Sequence, residues 1–174
     1  MIGSRIIEDV EYPTLYYTMD DLFSKVSAFS LYKLQAMEED IDHFAISDSE
    51  RDFFDVQIKR VTRDVFKKFS VLSQGITDAM QFKSDDLSST SLDEGVSIVY
   101  IICLPTYWDD NQTESLDQKV EEALISGVLL AWFKLKNLQD IYRLERGSHD
   151  DLLAEIKSLV NTRTKPAKIT YKTF

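Results

Sequence analysis

One cysteine, three prolines and five glycines are all that this 174-residue chain holds of the residues that cross-link, stiffen or loosen a backbone. A lone Cys103 excludes an internal disulfide and makes a reducing compartment the default. So little Gly and Pro argues against a turn-rich β-sandwich and favours helices. Long hydrophobic runs are missing too. The longest, ALISGVLLAWF at 123–133, lies between Glu122 and Lys134, and eleven residues of helix rise only about 16 Å, half a bilayer core. It reads as a buried helix segment. The opening MIGSRIIEDVEY carries acids where a secretory signal needs an apolar stretch, so no signal peptide is expected.

Positive charge is scarce: 20 Lys and Arg stand against 30 Asp and Glu, a net charge of −10. Its distribution is uneven. Residues 161–174, NTRTKPAKITYKTF, contain four bases and no acid, which leaves 16 bases against 30 acids in the first 160, a net −14. Such a body repels phosphate backbones and argues against general nucleic-acid binding. A basic arm meeting an acidic protein surface fits the asymmetry. A frayed, solvated terminus is the plainer reading.

With 44% hydrophobic and 29% charged residues, the chain has the composition of one globular domain, taken as residues 1–160 with an extended arm at 161–174. Thr18 with Asp21 resembles a capping box and opens a helix over about 19–36, with Leu22, Val26, Phe29 and Lys33 or Leu34 on one face. MEEDIDHFAI is an acidic linker. Ser47 and Glu50 form a second S-x-x-E box before a helix expected to reach about Ala79, with Phe54, Ile58, Val61, Val65, Phe69, Leu72 and Ile76 as its apolar stripe. Residues 83–95 read as an exposed loop. GVSIVYIICLP, β-branched and ended by Pro105, reads as a strand. Its partner is either the segment around Met80–Ser84, giving a hairpin near 80–104, or the N-terminal stretch Ser4–Tyr12.

A long helix is expected over about 115–145, striped by Leu116, Val120, Leu124, Val128, Ala131, Leu135, Leu138 and Tyr142. Ile125, Leu129, Trp132 and Phe133 widen that stripe until the middle is apolar on every side, which puts it at the centre of the fold. Gly147-Ser148 should break the helix, and Ser148 with Asp151 should recap a shorter piece carrying Leu152, Ile156, Leu159 and Val160. The fold class expected is mainly α, with one long central helix, a β-hairpin and an extended C-terminal arm.

Chemistry-bearing patterns are few. His43 and His149 have no second His or Cys at ligand spacing. In DDNQTES, a calcium loop counted from Asp109 would need Gly at its sixth position and Glu at its twelfth, where Glu114 and Val120 stand. Cys103 has no basic neighbour in sequence to lower its pKa. Tyr107 and Trp108 could stack on a ligand, but aromatics closing a strand-to-helix turn more commonly plug a core. Acidic pairs fit solvated faces. No phosphate-binding glycine loop or nucleophile elbow is present. The expectation is a protein that is not an enzyme and has no metal or cofactor.

Three landmarks occur in order: Leu104-Pro105 closing a strand, Val128–Phe133 with its Trp-aromatic pair in a helix, and Asn161, Arg163 and Pro166 leading into a basic stretch that ends on Phe174. Over about residues 95–174 this order resembles virion neck proteins of tailed phages and prophages of Bacteroidota-type bacteria, the ring-forming head–tail connectors or adaptors between portal and tail. Their tails are often more extensively basic than this one. The resemblance implies a helical bundle with a projecting β-hairpin, and a non-enzymatic structural subunit of the virion neck, assembled in the host cytoplasm. Its partners would be further copies of itself in a ring, the portal, and neighbouring neck or tail proteins, with DNA only passing through the lumen and no membrane. Arg163, Lys165, Lys168, Ile169, Tyr171, Lys172 and Phe174 are the candidate partner-binding residues, since AKITYKTF alternates and could add to a sheet edge. The alternative is a cellular interaction or regulatory module docking through the same basic arm.

Overall fold

The chain changes from strand to helix at Thr18, whose backbone is still extended while its Oγ1 accepts a hydrogen bond from the Asp21 amide. This N-cap satisfies one of the helix's orphan amides, and Asp20 and Asp21 add favourable charge in the first turn. The computed structural model describes residues 2–7, 10–66, 98–104, 108 and 110–162, and over these the fold is mainly helical. Strands β1 (Ile2–Ile7) and β2 (Val10–Thr18) lead into α1 (Met19–Ala36). A single turn α2 (Ile41–Phe44), α3 (Arg51–Phe66), β3 (Ile98–Cys103), α4 (Thr113–Leu135) and α5 (Gln139–Thr162) follow.

The strands form an antiparallel sheet in the order β1-β2-β3, with Ile2 opposite Leu15 and Ile7 opposite Val10 on one side. On the other side Thr14 faces Cys103 and Tyr17 faces Tyr100, with an irregularity between Tyr17 and Thr18. β3 therefore pairs with Thr14–Thr18, which corrects the expected N-terminal partner Ser4–Tyr12: that stretch is taken up by the β1–β2 hairpin, and the strand continues past it to meet β3. The segment around Met80–Ser84 and the loop at 83–95 lie outside the described residues. Pro13 is tolerated in the middle strand because β3 flanks β2 only from Thr14 onward.

Helix α1 has the expected bounds. It stops with Glu38 in the left-handed region, φ 56°, where the Glu38 amide bonds to the Gln35 carbonyl and the Glu39 amide to the Leu34 carbonyl. The same arrangement ends α4. Asn137, φ 60°, sends its amide to the Lys134 carbonyl, and Leu138 sends its own to Phe133. Asn tolerates this conformation, so these bonds close α4 at Leu135 and correct the single helix expected over 115–145. The expected break at Gly147-Ser148 is likewise corrected, because α5 runs through both residues. Leu138, Ile141 and Glu145 on one side and Ile156 and Val160 on the other are buried, and burial at both ends outweighs a glycine cost of about 1 kcal/mol. The Ser47–Glu50 capping box is present before α3. The expected continuation of that helix to Ala79 lies outside the described residues.

The core is built around α4. All seven residues from Ala123 to Leu129 are buried, and seven residues make nearly two turns, so this stretch has protein on every side. α5, α3 and α1 pack against it. Trp132 extends the core, its indole N–H donating to the Phe44 carbonyl at 2.6 Å and its ring meeting Phe53 edge-on at 5.0 Å. Two stripe assignments are corrected: Phe29 and Leu135 are exposed, Leu135 because α4 ends there.

Packing makes opposite demands on two helical glycines. A Cβ on Gly127 would lie 2.4 Å from Val61 Cγ1 and 3.2 Å from His149 Cε1, so α3 and α5 both crowd α4 there. Gly147 has open space around it. Gly127→Ala should lower stability by about 1–3 kcal/mol, whereas Gly147→Ala should raise it by about 0.5–1 kcal/mol. Urea midpoints that move in the same direction for both variants would contradict this packing.

Candidate functional site

The residues expected to bind a partner, Arg163, Lys165, Lys168, Ile169, Tyr171, Lys172 and Phe174, all follow the end of α5 and lie outside the described residues. What the structure does place is a set of polar joints between elements and a set of uncovered outer faces.

The first joint ties the sheet to the helices. Tyr17 on β2 is buried, and its hydroxyl donates to Asp117 Oδ1 at 2.7 Å and lies 3.2 Å from the Asp117 carbonyl. One α4 turn further on, Glu121 accepts from Lys25 of α1 at 2.6 Å, and Lys25 also reaches Asp21 at 2.8 Å. Burial, then the Asp117 charge and hydrogen bond, raise the Tyr17 phenol well above the tyrosine range. Burial alone would lower Lys25, but its hydrogen bonds to Asp21 and Glu121 outweigh that and raise it. At neutral pH both groups therefore keep their protons, Tyr17 as a neutral donor and Lys25 as a cation. That suits a structural joint rather than a general base.

The second joint is deeper. Glu145 of α5 is 4% exposed; its Oε1 accepts from Ser126 of α4 at 2.5 Å and its Oε2 lies 2.7 Å from Lys33 Nζ of α1. Three helices thus share one buried carboxylate. The contact to Lys33 is an ion pair rather than an aligned hydrogen bond, so charge more than direction holds it. Lys33 was readable from sequence as a stripe position. Glu145 was missed, though it stands four residues after the buried Ile141, and an acid at that spacing was the available signal.

At the start of α3, Arg51 spans to Asp20 at 2.6 Å and Asp55 at 3.4 Å, its guanidinium 4.6 Å from the Phe23 ring centre. Ile46 is buried beside α1, its amide donating to Ser30 Oγ at 3.0 Å while its carbonyl accepts from Ser27 Oγ. The acidic linker is thereby pinned in place. Trp108 is buried, as a core plug would be; Tyr107 lies outside the described residues. His43 is exposed on α2. Among the described residues no group of three or more His, Cys, Asp or Glu could hold a metal ion, and no helix is long and apolar enough to cross a membrane.

The outer faces are different in character. Tyr32, Leu144 and Leu135 are 67%, 66% and 63% exposed, and Phe29 accompanies Tyr32 one turn away on α1. No protein-family model matches this chain, and no curated protein or solved structure matches it either.

Two outcomes follow from the joints. Lys33→Met should cost about 1–3 kcal/mol by stranding the Glu145 charge, and the double change Lys33→Met/Glu145→Met should recover part of that loss in urea unfolding. A double variant less stable than Lys33→Met would contradict the stranded-charge account. For Tyr17 the folded-state pKa exceeds the unfolded one, so its contribution is intact below about pH 10 and is lost as pH rises through the folded value. Tyr17→Phe should therefore flatten the fall of stability above about pH 10, leaving the part that Lys25 contributes in the same direction. An unchanged alkaline slope would remove Tyr17 from that account.

Proposed function

We propose that this chain is a structural subunit of a tailed-phage neck, a head–tail connector that forms a ring between portal and tail and is not an enzyme. The finer architecture belongs to the same reading: a bundle around a central helix, a projecting β-hairpin and a basic C-terminal arm that docks on an adjacent subunit. One observation carries it furthest. Buried polar groups such as Tyr17, Ser126 and Glu145 are spent on joints between elements, while large apolar side chains, Phe29 and Tyr32 on α1 and Leu144 on α5, are left uncovered. A protein that works by contact keeps its chemistry inside and its adhesive groups outside.

The resemblance over residues 95–174 supplies the class of assembly. Ring subunits meet through heterologous contacts that close by rotation, and among the described residues β1 and β3 stand at the sheet edges, where a further strand could add. A body of −14 suits a channel through which DNA passes without sticking. In the arm, Arg163, Lys165, Lys168 and Lys172 find an acidic surface, while Ile169, Tyr171 and Phe174 anchor it. Ordering each arm residue costs about 1–2 kcal/mol of backbone entropy, which a partner's hydrogen bonds and pockets offset.

Deleting residues 164–174 should leave the melting temperature of the domain unchanged and abolish higher-order assembly in light scattering. Assembly equal to that of the full chain would eliminate the docking arm. A full chain that stays monomeric but captures a cellular acidic protein through its arm would favour a regulatory module instead.

A further inference from the structure

Helix α3 buries Phe54, Ile58, Val61 and Val65 and turns its opposite side outward. On that side Val56 has Lys59 three and Arg60 four residues on, Arg63 lies four and three residues beyond those two, and all four are exposed. Val56 is 65% exposed. Lys59, Arg60 and Arg63 form no ion pair among the described residues. In a chain with a net charge of −10, three unpaired cations around an exposed valine are a concentrated exception.

We infer that this outward face of α3 docks a second copy of the chain, on the acidic connection between α1 and α3 of that copy. The inference deepens the ring reading and rests on it. Charge complementarity selects the occupant. In the connection Glu38, Asp40, Asp42 and Asp48 are exposed, with no ion pair among the described residues, and Met37 is exposed beside them. The pinning of Ile46 by Ser27 and Ser30 holds this region against α1, so it presents its charge without a large ordering cost.

The two surfaces sit at opposite ends of one element. Asp48 precedes α3 and Arg63 lies fifteen residues later, about 22 Å along a helix axis. One copy's acidic end can therefore meet the next copy's basic half, with Met37 and Val56 as apolar contacts inside the charged rim. Such a contact is heterologous, the kind that closes rings. Because the charges are exposed, salt should weaken it.

The experiment compares the full chain with an α3 variant, Lys59→Glu/Arg60→Glu/Arg63→Glu, and a connection variant, Glu38→Lys/Asp40→Lys/Asp42→Lys. Sedimentation velocity should show at least tenfold weaker self-association for each variant alone, with melting temperatures unchanged. An equimolar mixture should reassemble, since each reversed face then meets its complement on the other species. A wild-type chain that assembles together with variants that assemble equally well would overturn the α3 interface and leave the ring reading standing. A wild-type chain monomeric at every concentration would end the ring reading and the interface with it. Loss of folded stability in the α3 variant with assembly unchanged would mean that the chain itself covers this face, which overturns the proposal. Salt-dependent binding of a duplex DNA probe that the α3 variant alone loses, with assembly unchanged, would assign the stripe to nucleic acid and overturn it as well.

Discussion

The close approach of α3 to α4 at Gly127 is the constraint on which the rest of the described structure depends. With no Cβ there, Val61 enters the space a side chain would take and His149 closes it from α5. Two helices, α3 and α5, converge on one point of α4, and the neighbouring turns from Ala123 to Leu129 are buried on all sides. α4 is thus an axis rather than a surface helix. Among the described residues α1, α3 and α5 each contribute one face to it and expose another.

Polar groups reinforce the same geometry. Glu145 is tolerated in the core because Ser126 and Lys33 approach from two other helices. Removing one partner of such a set is costlier than never having had it, so the arrangement fixes how the helices meet more than it adds net stability. Tyr17 plays a comparable part between sheet and α4, where its hydroxyl locks onto Asp117. These joints tie β2, α1, α4 and α5 to one another. A body tied in this way, with uncovered apolar and charged faces, can be placed repeatedly in an assembly with little ordering cost.

Much of this was legible in the sequence, and the reasons differ by element. Thr18 and Ser47 announce their helices because capping is a local interaction between residues three apart. The central position of residues 123–133 follows from an apolar pattern too wide for a half-exposed helix. The break at Asn137 was hidden because Leu135, Leu138 and Tyr142 continue the helical spacing, and only the left-handed conformation of Asn137 separates α4 from α5. Gly147 misled in the opposite sense, since burial on both sides carries the helix across it. The pairing of β3 with β2 joins residues from eighty (Thr18 with Ile98) to eighty-nine (Thr14 with Cys103) positions apart, and no local signal chooses between distant partners. The outward charge of α3 could be read from the spacing of Lys59, Arg60 and Arg63, but the absence of ion pairs around them needed the fold.

The proposed function is assembly into a ring rather than catalysis. Electron microscopy of the purified full-length protein in low salt tests that most directly. The account predicts closed rings with rotational symmetry in the class averages. Particles that remain single subunits or two-fold dimers at every concentration would contradict it.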